Sequence, residues 1–97
     1  MRVKVLGKYW SLVFGGTRPD EDGRCDAPEV PSRRIYLRKS LRGDVLLETV
    51  IHEVVHAAAF HVDEEYVSEF AADLTKILRT ESIWSRIVEQ PKPRGRK

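Results

Sequence analysis

The stretch from Val50 to Phe60, VIHEVVHAAAF, constrains this chain more than any other. Within it His52, Glu53 and His56 form the pattern H-E-x-x-H in an otherwise apolar run. Residues four apart on an α-helix lie one turn above each other on the same face, so both imidazoles can reach one ion. Glu53 stands about 100° round from His52, near enough to hold a metal-bound water without ligating the metal itself. Two histidine ligands, a general base between them and a third protein ligand from elsewhere make a hydrolytic zinc site.

The plain alternative is two satisfied histidines and a surface glutamate on an ordinary amphipathic helix. The surroundings argue against it. Val45, Leu46, Leu47, Val50, Ile51, Val54 and Val55 make the helix apolar nearly all round, which predicts burial. Three ionisable groups inside such a helix are costly unless a metal or polar partners satisfy them.

A chain of 97 residues with 41% hydrophobic content supports one small core. A net charge of +2 with 33% charged residues describes a solvated surface and not a polycation. The single cysteine, Cys25, excludes an internal disulfide framework and suits a reducing compartment. No run reaches the length of a membrane span, and MRVKVLGKYW lacks the apolar core of a secretory signal, so a cytoplasmic location is expected.

Val3–Leu6 and Tyr9–Phe14, split by Gly7-Lys8, predict a β-hairpin with Trp10, Leu12 and Phe14 on one face. Residues 15–31 hold two adjacent glycines, three prolines and the acidic run Asp20, Glu21, Asp22, which predicts a long loop with a short strand near Cys25. A loop of that length in a small domain is often functional; this one could border the cleft, which the sequence itself does not show. Cys25 itself is read as a small buried apolar group in preference to a ligand. Arg33–Leu41 alternates apolar and basic residues, predicting an edge strand with Ile35 and Leu37 on one face and Arg34, Tyr36 and Arg38 on the other. Asp44 is the expected N-cap of a helix running to about Phe60. Asp63 is the expected cap of a second, from Glu64 to about Thr80, with Val67, Phe70, Ala71, Leu74, Ile77 and Leu78 as its apolar face. Glu81–Val88 predicts a short third helix, and QPKPRGRK at 90–97 a basic, disordered tail.

Candidates for the third ligand are Glu64, Glu65, Glu69, Asp73 and His61. At about 100° per residue, Glu64 lies one turn before Val67 and two before Ala71, on the side facing the first helix. Glu65 and Glu69 fall on the far side, Asp73 follows Glu69 by four as an outer partner, and His61 is expected in solvent. Phase therefore selects Glu64, with Glu65, Glu69 and Asp73 as alternatives.

The order of hairpin, loop, strand, H-E-x-x-H helix and acidic second helix resembles short gluzincin-type zinc metallopeptidase domains. It is similar to the ImmA/IrrE-like group and to small phage or bacterial zincins of unassigned role. The second helix of that group carries a pattern near E-x-x-A-N-x-F-A-x-x-L. Glu64, Phe70, Ala71 and Leu74 stand at its places here, with Val67 and Ser68 where Ala and Asn are usual. The resemblance covers about residues 34 to 79. It implies a small α+β, zincin-like domain over 1–89. In that domain a β-hairpin and an edge strand pack on a buried H-E-x-x-H helix, an acidic-start second helix and a short third helix. It also implies zinc on His52, His56 and Glu64, Glu53 as general base, and a peptide or protein substrate. Tyr66, Tyr36, Arg33 and Arg34 are the candidates for stabilising the oxyanion. The competing expectation is a catalytically weak or inactive domain of the same fold that binds a protein partner. Nucleic-acid binding is not expected, because basic residues such as Arg38, Lys39 and Arg42 come with near-balanced charge and no known module. No membrane partner is expected.

Overall fold

The structure is a computed structural model and describes residues 1–89, so the expected tail at 90–97 lies outside the described residues. Strands β1 (Arg2–Val5) and β2 (Lys8–Phe14) form the expected hairpin, with Val5 opposite Lys8. The turn is Leu6-Gly7, one residue earlier than Gly7-Lys8. Both residues have positive φ, 49° and 81°, as the mirror-image two-residue turns require, and Leu6 projects into solvent. Trp10 is buried and Leu12 half-buried beneath it, but Phe14 is largely exposed where the strand ends.

The long connection returns as β3 (Gly23–Cys25) before β4 (Arg34–Leu37) enters the sheet. The strand order is β1-β2-β4-β3, with β4 parallel to β2 and antiparallel to β3. The four strands and three helices make a small α+β fold. β4 is therefore interior and not the edge its basic residues suggest. A parallel pair needs a crossover of a dozen residues or more, and part of this one folds back to cover the far side of β4. The edge beside the helices is β3. Ile35 and Leu37 are 0% exposed and meet Trp10 and Ala57 in the core, whereas Arg34 and Tyr36 point to the opposite face.

Helix α1 (Gly43–Ala58) crosses the sheet and α2 (Glu64–Arg79) returns along α1, with α3 (Glu81–Val88) following. Arg42 occupies the N-cap position of α1 without a side-chain capping bond, so Asp44 does not cap it. Asp44 lies in the first turn instead and binds Arg79 Nε at 2.7 Å. α1 stops at Ala58, two residues short of Phe60. Asp63 does cap α2, accepting from the Tyr66 backbone N–H at 3.1 Å. The face α2 turns inward is Val67, Ala71 and Thr75, spaced four apart. Small and β-branched residues there admit a close helix pair, which leaves Phe70 and Ile77 exposed, contrary to expectation. No helix among the described residues is long and apolar enough to cross a membrane.

Candidate metal centre

α1 sets His52 and His56 on one flank, their ring centroids 4.9 Å apart. α2 begins at Glu64, one turn before Val67 on the inward stripe, so its carboxylate meets both rings. Glu64 Oε1 lies 2.8 Å from His56 Nε2, and Oε2 lies 2.9 Å from His52 Nε2. A carboxylate has no proton to give, so each Nε2–H donates to it. The two histidines are mostly covered and Glu64 is open to solvent, which leaves an approach from one side.

One nitrogen of each histidine and one Glu64 oxygen lie within 4.8 Å of one another. Tetrahedral zinc with bonds near 2.0–2.1 Å separates its ligand atoms by about 3.3 Å. To reach that spacing the carboxylate parts from the imidazoles by roughly half an ångström, and any wider separation within the 4.8 Å limit closes by side-chain rotation. An N₂O donor set from neutral imidazoles and a carboxylate suits zinc chemically. In donor type these three residues could hold such an ion.

Among the described residues this is the one such cluster. Glu65, Glu69 and Asp73 are exposed and do not join it, because each successive residue of α2 turns about 100° away from Glu64. His61 is exposed and stands edge-on to Phe60, with ring centroids 5.5 Å apart.

Glu53 lies under the edge strand, 7% exposed, and no described group donates a hydrogen bond to its carboxylate. Burial lifts its pKa from an ordinary 4.5 to about 7; His56 opposes the rise, while Glu64 and Glu21 add to it. Gly23 makes this burial possible. A Cβ at Gly23 would stand 2.8 Å from Thr49 Cγ2 and 3.0 Å from Glu53 Cγ and Oε2. Only a residue without a side chain lets β3 lie this close over α1. Its φ is not in the left-handed region, so close approach and not backbone conformation requires the glycine.

β3 also presents free backbone. Arg38 N–H donates to Asp22 O, and Asp26 N–H donates to Arg34 O. Residues 22, 24 and 26 thus face β4, and by alternation Gly23 and Cys25 turn their N–H and C=O groups outward along the open edge. Cys25 lines the cleft with a free thiol. Burial, with Glu53 and then Asp26 adding, pushes that thiol up to about 12.

The four oxyanion candidates do not line the cleft. Tyr36 and Arg34 hydrogen-bond each other on the far face of the sheet, and the Arg24 guanidinium lies 4.3 Å from the Tyr36 ring centroid. Tyr66 is exposed, and Arg33 sits in the turn before β4 with positive φ. The loop borders the cleft through Glu21, Asp22 and Gly23, and neither Gly23 nor the other walls Glu48 and Phe60 are singled out by the sequence. The signal available was the single glycine between an acidic run and Cys25. Family models, curated proteins and solved structures yield no match to this chain.

Proposed function

We propose that this chain is a zinc-dependent peptidase, a minimal gluzincin-type domain working in the cytoplasm. The observation that carries this reading is the meeting of His52, His56 and Glu64 around one point, with Glu53 buried one residue from the first ligand. His52, His56 and Glu64 would hold the metal beside an attacking water. Bound there, zinc would bring that water's pKa toward neutrality and polarise the carbonyl to be attacked.

Glu53 accepts the water's proton and returns it to the leaving amine. Burial raises that carboxyl in the metal-free protein, and a bound cation would draw it back toward the ionised form a general base needs. The outward N–H and C=O groups of Gly23 and Cys25 hold the substrate backbone in extended form, as an added strand on β3. The free thiol of Cys25 accords with a reducing, cytoplasmic setting.

The test is hydrolysis of an unfolded protein by zinc-loaded wild type and by Glu53→Gln. Cleavage that is lost in the variant, with zinc retained, supports the assignment. Equal cleavage by both removes Glu53 from the chemistry. A zinc-bound wild type that cleaves nothing leaves the competing reading, a domain that binds a protein partner.

A further inference from the structure

Two cavities flank the candidate metal centre, of about 300 and 420 Å³. They share Gly23, His52, Glu53 and Glu64, so they are the two ends of one cleft with the centre in its middle. The ends differ in chemistry. One is walled by Glu21, Asp22, Glu48 and Thr49, and the other by Arg24, Cys25, Phe60 and Val62 together with His56. Along α1 the walls run from Glu48 to the helix end at Ala58, about 15 Å at 1.5 Å per residue, with Phe60 just beyond. At about 3.3 Å per residue that length holds roughly five residues of extended peptide.

The acidic end carries uncompensated charge. Arg24 Nε lies 3.2 Å from Glu21 Oε2, and Arg38 Nε lies 3.3 Å from Asp22 Oδ1, so the two loop carboxylates that wall the cavity each have a cation. Arg38 also donates to the carbonyls of Pro19 and Glu21, at 2.6 and 2.7 Å, which ties the loop to the end of β4. No ion pair engages Glu48 among the described residues, and its carboxylate lines this cavity one turn before His52. At the other end the Arg24 guanidinium is turned away, donating to Gly16 O at 2.8 Å. The surface left there is Phe60, Val62 and the Cys25 thiol.

We propose that the cleft selects peptides with a cationic side chain on one side of the bond to be cut and an apolar side chain on the other. This rests on the peptidase reading and adds the substrate class. Glu48 is the residue that sets the cationic preference, through its position one turn before His52 and its lack of a partner. Phe60 and Val62 set the apolar one.

Binding tests this apart from turnover. Fluorescein-labelled nonapeptides in which one Arg is exchanged for Glu, and one Leu for Ser, are titrated against zinc-loaded Glu53→Gln by polarisation. Arg peptides bind at least about tenfold tighter than their Glu counterparts, and the ratio inverts when Glu48→Lys is added. Glu48→Gln, the milder change, brings the ratio toward one and serves if the lysine variant does not fold. Equal affinity for Arg and Glu peptides, an Arg preference untouched by both Glu48 changes, or no binding of any peptide overturns the proposal. Wild type is then given the same peptides. Preference without cleavage removes the peptidase reading and keeps the specificity, whereas cleavage without preference does the reverse.

Discussion

Burying Glu53 costs stability, and the cost has a definite pH signature in the metal-free protein. Its carboxyl titrates near 4.5 in an unfolded chain and near 7 in the folded one. The folded state therefore binds the proton more tightly, and stability falls as pH rises from about 5 through 7. With those two values the loss attributable to Glu53 between pH 5 and pH 8 is about 2.5 kcal/mol. Glu53→Gln keeps the shape and removes the titration. Urea unfolding of both proteins with chelator present, at pH 5 and pH 8, isolates the difference from every other titrating group. Wild type should lose about 2.5 kcal/mol more than the variant over that interval. The variant should be the more stable of the two at pH 8. Parallel losses in the two proteins, or a variant less stable at pH 8, would refute the desolvation of Glu53 and with it the account of Gly23 as its cover.

Two further outcomes follow from the packing of β3 on α1. Gly23→Ala forces its Cβ against Thr49 and Glu53 and should cost about 1–3 kcal/mol in urea unfolding, with a larger fractional loss of any hydrolysis than of bound zinc. Cys25, its thiol raised from 9.0 to about 12, should alkylate with iodoacetamide about a thousandfold more slowly at pH 8 in the folded protein than in urea. Folded and unfolded rates within tenfold of each other would place Cys25 outside the packed edge.

What the sequence made legible was local. H-E-x-x-H fixes its own geometry once the segment is helical, and the phase of Glu64 against Val67 and Ala71 directs it inward without knowledge of the rest of the chain. Asp63 and the third helix are readable for the same reason. The sheet order was not, because pairing is decided between segments far apart. β4 has the alternating basic pattern of an edge, yet Gly23–Cys25 pairs along it. The tie that brings the acidic loop to the cleft is Arg38, seventeen residues beyond Glu21, and no short-range pattern announces it. α2 misled in a different way. Its sequence offers Phe70 and Ile77 as core, but close approach to α1 selects the stripe with Ala71 and Thr75 and leaves the larger side chains outside. Gly23 shows the limit most plainly, since its role is the space beneath it, and that space exists only once β3 lies over Glu53.

The claim on which the account stands is that two helices bring His52, His56 and Glu64 together to hold zinc. Its most direct test is metal content after zinc loading and desalting, measured on wild type, His56→Ala and Glu64→Ala, with folding of each checked by circular dichroism. The account predicts about one zinc per wild-type chain and loss from both folded variants. Zinc retained by Glu64→Ala would move the third ligand away from α2's first residue, and a wild type that binds none would contradict the metal centre itself.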